Sequence, residues 1–99
     1  MSLPVTAAKR FRVSPSLADR VRSLHPTIRS RIRAALENVL ANPDTGKELH
    51  EELSGLRSYR VGRYRIIYRV KQDAIVLVNV GARSAIYEET AALLAAPEE

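Results

Sequence analysis

The sequence predicts an α+β fold in which a short N-terminal strand and a helical hairpin pack on an antiparallel sheet, followed by a short helix. Apolar residues recur at helical spacing in two stretches, 17–24 and 26–41, which the pair His25-Pro26 separates. Three strand-like segments come after residue 55, and two-residue turns separate them. The last of these segments, AIVLVNV, is almost continuously apolar, which is typical of an interior strand.

The N-terminal part of the chain supplies the strand and the start of the hairpin. Residues 8–13, AKRFRV, alternate basic and apolar side chains, which predicts a short strand with Phe11 and Val13 facing inward. Ser14-Pro15 then predicts a helix start, because proline is favoured in the first turn of a helix.

A polar connection and the sheet follow the hairpin. In the connection, residues 43–55, we expect Leu49 and Leu53 to be the apolar anchors. The segment IYEETAALLAA near the C-terminus predicts a short helix. The strands are predicted at 56–61, 64–71 and 74–80.

Length and composition favour a single domain. The 99 residues, 45% of them hydrophobic, suit one core, so we expect one domain over residues 1–99 with loose ends at 1–7 and 97–99. There is no cysteine, and no stretch approaches the roughly 18 apolar residues of a membrane span. We therefore expect a soluble, cytoplasmic protein.

The charge is unevenly distributed and favours a polyanionic partner. The net charge is +5, yet residues 1–87 hold all 16 basic residues and seven of the 11 acidic ones, which gives this part +9. A basic body of this size suits nucleic acid or an acidic protein. A basic surface that serves only solubility fits the charge equally well.

Two-residue turns fix the register of the predicted strands. A turn at Gly62-Arg63 places Arg60 opposite Arg65, and glycine at the first central position suits type II′. A second turn at 72–73 places Arg65 opposite Val80. One face of the sheet is then apolar and suits the helical hairpin. The other face is basic with an apolar floor and holds Ser58, Arg60, Arg65, Arg69, Lys71, Ile67, Val76, Val78 and Val80.

The pattern on the basic face predicts an anion site. Like charges opposite each other, as at Arg60 and Arg65, cost up to about 1 kcal/mol, and an anion between them would turn the repulsion into binding. The chain leaves the sheet at Gly81, so Arg83 and Tyr87 can reach the same patch. Clustered arginines can stabilise the phosphate transition state of RNA cleavage. Arginines on a strand are more often a solvated face, and this alternative stays open.

No set of residues indicates a metal site. His25 lies between the helices and His50 in the connection, without the spacing of zinc ligands. Gly46-Lys47 lacks the rest of a phosphate-binding P-loop. We expect no metal and no cofactor.

Three stretches carry distinctive motifs: NP-D-TGKEL at 42–49, L-SGL-RSYRVGRYRIIYRV at 53–70 and VLVNVGARSAIY at 76–87. With the order of the predicted elements, they resemble the RelE/ParE superfamily of toxin–antitoxin toxins. The similarity spans residues 8–90, and its most specific part is the YRVG-YRIIYRV hairpin, followed by an apolar strand, VG-x-R and a tyrosine. The resemblance implies a RelE-like fold and a cognate antitoxin protein as partner.

Membership of the RelE branch would imply a ribosome-dependent endoribonuclease that cleaves mRNA in the ribosomal A site and inhibits translation. In this reaction the 2′-oxygen attacks the adjacent phosphate without a metal. Arg65 matches the arginine that stabilises the phosphate, and Arg60 matches a basic position on the preceding strand. Arg83 resembles an acid or charge stabiliser, and Tyr87 a base or stacking residue. Further positions expected to bind RNA are Arg57, Arg63 and Arg69.

Departures from the family pattern leave two other functions open. Ser58 stands where some RelE toxins have a basic residue, and Glu88-Glu89 place negative charge beside Tyr87. A ParE-like inhibitor of DNA gyrase has the same fold and does not need the arginine–tyrosine set. An inactive homologue that acts only in a complex with its antitoxin is the third possibility.

We expect the antitoxin to bind on the basic face. The sequence predicts that Ile67, Val76 and Val78 are exposed there. Together with the alanine- and leucine-rich last helix, they would suit an amphipathic antitoxin segment. Alternatively, the C-terminal segment of the protein itself covers them.

Overall fold

The computed structural model describes residues 10–95, which form a five-stranded sheet and three α-helices. Single-turn 3₁₀ helices flank the short second strand, at Pro43–Thr45 and Glu51–Leu53. The elements in chain order are β1 (Arg10–Arg12), α1 (Pro15–Arg22), α2 (Pro26–Ala41), β2 (Lys47–Glu48), β3 (Arg57–Val61), β4 (Tyr64–Val70), β5 (Ala74–Ala82) and α3 (Ile86–Ala95).

The sheet has the strand order β1-β5-β4-β3-β2. Strands β2 to β5 pair antiparallel, whereas β1 pairs parallel to β5. β5 is therefore an interior strand, as its apolar sequence predicts. The α+β fold class is confirmed, and the structure adds β2, which the sequence did not indicate because two residues show no periodicity.

Local capping explains where the helical hairpin begins and turns. The Ser14 hydroxyl accepts a hydrogen bond from the N–H of Leu17 at 3.2 Å and caps α1. His25 Nδ1 accepts from the N–H of Thr27 at 3.1 Å and caps α2. Both helices of the hairpin begin with proline at the first position. His25 therefore has a structural role at the break that the sequence predicts.

The described residues form two apolar cores, one on each face of the sheet. The first lies between the helical hairpin and the sheet and contains Leu17, Ile32, Ala35, Val39, Ile66, Tyr68, Ile75, Leu77 and Val80. The second lies on the opposite face, where the 43–55 connection and α3 cover the strands. It contains Leu49, Leu53, Leu56, Ile67 and Ile86, so the prediction of Leu49 and Leu53 as anchors is confirmed.

The predicted exposure of Ile67 is wrong. Its side chain is fully buried in the second core with Leu56 and Ile86, and Val78 packs partly buried against the same core. The alternative prediction, that the protein's own C-terminal segment covers these residues, holds for Ile67 and Val78. Val76 is half-buried.

A β-bulge in β5 corrects the predicted register. Arg69 pairs with Val76 as predicted, but the pairing shifts between Ile67 and Tyr68, so that Arg65 faces Gly81 instead of Val80. Beyond the shift the two faces of β5 are exchanged, and Val80 lies in the first core. The prediction of Val80 on the basic face is therefore wrong.

The N-terminal strand is shorter than predicted. β1 ends at Arg12, and Val13 is 43% exposed, while Phe11 packs against the first core. Residues 8 and 9 of the predicted strand, and the ends expected to be loose, 1–7 and 97–99, lie outside the described residues. Within residues 10–95, no helix has the length and apolar character needed to cross a membrane.

Candidate anion-binding site

The β3–β4 hairpin sets the geometry of the site. Gly62 has φ +59°, whereas Arg63 is not among the residues with positive φ, as a type II′ turn requires. The turn fixes the predicted pairing of Arg60 opposite Arg65, and this pairing is observed. Both arginines therefore start from the same face of the sheet.

Three side chains, Ser58, Arg65 and Tyr87, meet on this face and are called the Arg65 cluster below. Arg65 Nη1 donates to Ser58 Oγ at 3.2 Å, and Tyr87 Oη lies 3.1 Å from the same oxygen. The guanidinium carbon of Arg65 lies 5.7 Å from the centre of the Tyr87 ring, within cation–π range. The hairpin contributes the first two side chains, and the first turn of α3 contributes the tyrosine.

Arg65 retains a buried donor without an acceptor. Its Nε is the one buried side-chain nitrogen or oxygen of residues 10–95 that has no hydrogen-bond partner. An unpaired buried donor is costly, about 1–3 kcal/mol, so native structures usually satisfy it. An oxyanion beside Arg65 would supply the missing acceptor.

The other two predicted catalytic arginines lie near the cluster without contacting it through an ion pair or hydrogen bond. Arg60 is exposed and donates through Nε to the Gly62 carbonyl at 3.3 Å. Arg83 is exposed and is held by its backbone N–H, which donates to the Arg63 carbonyl at 2.7 Å. The ion pairs of the described part join Arg22 to Asp19 and Arg57 to Asp44. The positive charges around the cluster are therefore not neutralised by a carboxylate there.

The three predicted RNA-binding arginines lie in different places. Arg63 is exposed in the hairpin turn beside Arg83. Arg69 is half-buried on the face of the Arg65 cluster, four residues or about 13 Å further along β4. It lines a groove of about 410 Å³ together with Arg12 and Lys71.

Arg57 lies on the opposite face of the sheet. It pairs in register with Tyr68, and its Nη1 donates to the carbonyls of Asp44 and Gly46 at 3.2 and 2.7 Å. Its Nη2 lies 3.7 Å from the carboxylate of Asp44. The structure therefore does not bring Arg57 to the cluster. It fastens the 43–55 connection.

A polar network ties α3, and with it Tyr87, to the sheet. Asn79 is buried at the bulge, and its Nδ2 donates to Thr90 Oγ1 on α3 at 3.2 Å. Arg20 of α1 donates to Asn79 Oδ1 at 3.1 Å and to the Val80 carbonyl at 2.6 Å. The network crosses the end of the sheet and joins α1 to α3.

Sequence reasoning missed Ser58 as part of the site. The sequence places Ser58 on the basic face as a departure from the family pattern, and its position diagonal to Arg65 in the register is the signal that could have found it. The network of Asn79, Thr90 and Arg20 was also missed. No sequence signal could have found it, because it depends on the bulge.

The cluster can bind an oxyanion next to a phenol hydroxyl. Arg65 offers donors of fixed geometry, and Tyr87 offers an oxygen that can donate or accept a proton. Within residues 10–95, no group of three or more histidine or acidic side chains is arranged to hold a metal ion.

Residues 12–87 match the family model described as ParE toxin of type II toxin–antitoxin system, parDE. Solved structures match over most of the chain. A chain of the toxin–antitoxin complex RelBE2 from Mycobacterium tuberculosis is 27% identical, with a TM-score of 0.68, and the match covers 78% of this chain and 100% of that one. A mutant of the E. coli toxin RelE in the free state is 17% identical, with a TM-score of 0.70, and the match covers 91% and 100%.

A third similar structure is the YoeB–YefM complex from Staphylococcus aureus, 18% identical with a TM-score of 0.62, where the match covers 75% of this chain and 95% of that one. No curated protein sequence gives a significant match. The chain belongs to the ParE toxin family of type II toxin–antitoxin systems. The fold is RelE-like, and the resemblance to the RelE/ParE superfamily is confirmed.

Proposed function

We propose that this toxin acts in the cytoplasm as a ribosome-dependent mRNA endoribonuclease that inhibits translation. The observation that carries the proposal is the Arg65 cluster: a guanidinium with a buried, unpaired Nε lies against a tyrosine whose hydroxyl is held by Ser58. An enzyme that cleaves RNA by using the 2′-hydroxyl of the RNA as the nucleophile needs a group that binds the phosphate and a group that transfers protons, but no metal. The cluster offers both.

The reaction follows from these positions. The 2′-oxygen of one nucleotide attacks the adjacent phosphorus, the bond to the 5′-oxygen breaks, and a 2′,3′-cyclic phosphate forms. Arg65 binds the phosphate oxygens, and Arg60 and Arg83 add positive charge as the transition state becomes more negative. The 2′-hydroxyl gives its proton to the oxygen of Tyr87, which must be in its phenolate form to accept it, and the leaving 5′-oxygen takes up a proton from water.

Recognition of mRNA in the ribosomal A site extends beyond the scissile phosphate. Arg63 projects from the turn beside Arg83, and Arg69 carries positive charge further along the same face. Phosphate contacts of this kind position the substrate without reading its sequence. Arg57 stays outside this surface because its donors are used by the 43–55 connection.

A cognate antitoxin is the second partner. The similar structures include toxin–antitoxin complexes from M. tuberculosis, E. coli and S. aureus. The unneutralised arginines around the cluster suit an acidic antitoxin segment, which would block the substrate site by charge neutralisation.

Inhibition of DNA gyrase is the second candidate function. It is favoured by the match to the family of ParE toxins. A gyrase inhibitor would act by binding and would not need the hydroxyl of Tyr87.

Primer extension on a translated reporter mRNA tests the proposal. Wild-type toxin is compared with Arg65→Ala and Tyr87→Phe, the second of which keeps the ring below the guanidinium. The matched controls are Arg33→Ala and Tyr59→Phe. The first removes an exposed charge on α2, and the second removes a hydroxyl that makes only an exposed contact with Asn38.

We expect cuts that require translation. They should weaken by about 10²- to 10³-fold in Arg65→Ala, the typical effect of removing a donor that stabilises developing charge. Tyr87→Phe should also lose the cuts, and both controls should retain them. Growth arrest without RNA cuts, together with DNA breaks in the presence of gyrase, would support the second candidate. Neither cuts nor arrest would indicate an inactive homologue.

A further inference from the structure

We propose that Ser58 is a positioning residue of the site, whose hydroxyl aligns the phenol of Tyr87 with the guanidinium of Arg65. The inference rests on the proposed ribonuclease function. Ser58 is 2% exposed, and its oxygen lies 3.2 Å from Arg65 Nη1 and 3.1 Å from Tyr87 Oη. One buried oxygen thus joins the two groups to which the reaction assigns phosphate binding and proton transfer.

The donors and acceptors make this hydroxyl suited to proton transfer at Tyr87. Arg65 can only donate, so Ser58 Oγ accepts from it and retains one hydrogen and one lone pair. It accepts from Tyr87 while the phenol holds its proton, and it donates to the same oxygen once that proton has left. The contact therefore persists in both protonation states.

The same hydroxyl fixes the orientation of Arg65. With Nη1 bound to Ser58 and the guanidinium over the Tyr87 ring, the plane of the guanidinium is set at two points. Its Nε remains buried and unpaired in the free protein. Loss of the Ser58 oxygen would leave Nη1 without this partner and free the guanidinium to turn.

A serine that only satisfies a half-buried arginine would affect stability without a selective effect on catalysis. The matched pair Ser58→Thr and Ser58→Val separates the two roles. Threonine and valine have nearly the same shape, and both suit a strand, but only threonine keeps the hydroxyl. Ser58→Ala serves as the smaller variant if the added methyl groups prevent folding.

The first measurement is translation-coupled cleavage by the purified toxin, with kcat and KM determined separately. We expect Ser58→Thr to remain near the wild type, and Ser58→Val and Ser58→Ala to lose up to about 100-fold in kcat, as small misplacements of reacting groups do. KM should change much less. In a Tyr87→Phe background the further loss on Ser58→Ala should be small, because the serine acts through the tyrosine.

The second measurement does not depend on activity. In NMR spectra of the free toxin, the Nε–H signal of Arg65 and the ring signals of Tyr87 should stay near their wild-type positions in Ser58→Thr and move in Ser58→Val and Ser58→Ala. Equal spectra and equal kcat for threonine and valine, or for serine and alanine, would overturn the proposal. A wild type that never cuts mRNA would refute the ribonuclease function, and the NMR comparison would then decide the role of Ser58 by itself.

Discussion

Replacing Gly46 by alanine is expected to destabilise the protein because the methyl group has no room. A Cβ at this position would lie 2.4 Å from Tyr68 Oη and 2.9 Å from Cε1 and Cζ of the same ring. Tyr68 is fully buried, so the ring cannot swing into solvent. The backbone of Gly46, with φ −73° and ψ 154°, is open to any residue, so the cost is steric. Overpacking of this kind costs about 1–3 kcal/mol in the free energy of unfolding.

Tyr68→Phe perturbs the same contact from the other side. The Tyr68 hydroxyl donates to the Pro43 carbonyl at 2.7 Å and accepts from the N–H of Gly46 at 2.9 Å. Phenylalanine leaves both backbone groups without this partner. At about 1–3 kcal/mol for each buried unpaired group, and with Pro43 only half-buried, we expect a loss of roughly 2–4 kcal/mol.

The double variant separates steric conflict from a general loss of stability. Without the hydroxyl, the closest contact of the new methyl group disappears, so Gly46→Ala should cost less in the Tyr68→Phe background. We expect a coupling of about 1–2 kcal/mol between the two changes. Urea unfolding followed by circular dichroism, with midpoint and slope reported for all four proteins, measures it.

Gly55→Ala is the matched control for this cycle. Gly55 has φ +88°, and no atom lies within 4 Å of its would-be Cβ. Alanine there suffers backbone strain of about 1–2 kcal/mol without touching Tyr68, so its effect should add to that of Tyr68→Phe. The steric argument would be refuted if the effects of Gly46→Ala and Tyr68→Phe also added to within about 0.5 kcal/mol. It would equally be refuted if Gly46→Ala were as stable as the wild type.

The remaining predictions concern the same tyrosine, the α3 network and the hairpin turn. Burial raises the pKa of Tyr68 above its ordinary value of 10.0, so the unfolded chain loses this proton first. Below pH 10 this group should therefore leave the free energy of unfolding unchanged, and above it the free energy of unfolding should fall as the pH rises. Urea unfolding from pH 9 to 11 should show a steeper fall for the wild type than for Tyr68→Phe. Thr90→Val removes the acceptor of the buried Asn79 amide and should cost about 1–3 kcal/mol in urea unfolding, whereas Thr90→Ser should retain most of the stability. Gly62→Ala, at φ +59°, should lower the unfolding free energy by about 1–3 kcal/mol, because only glycine adopts the first central position of a type II′ turn without strain; no loss would contradict the assigned turn.

The hairpin and the helices were predictable because local chemistry fixes them. Ser14-Pro15 marked the start of the first helix and Pro26 that of the second, and both starts are observed at Pro15 and Pro26. Gly62 at the first position of a two-residue turn fixed the pairing of Arg60 with Arg65, and no distant contact could alter it.

The bulge was not predictable because the sequence of β5 hides it. A register slip reveals itself when apolar and polar residues alternate, since one step exchanges the two faces. β5 is apolar on both faces, so the change between Leu77 and Val80 leaves no trace in the pattern. Only the polar Asn79 marks the position, and its meaning depends on Thr90 of α3.

The two-sided burial of the sheet explains why basic and apolar residues share one face of β4. On one face of this strand the residues read Arg65, Ile67 and Arg69, basic at both ends and apolar in the middle. Ile67 is buried under Ile86 of α3, whereas the arginines lie on either side of that contact. The covering helix needs only a narrow apolar strip, and its first turn brings Tyr87 to the Arg65 end. The same packing that closes the second core therefore places the phenol beside the guanidinium, so stability and the candidate site depend on one helix.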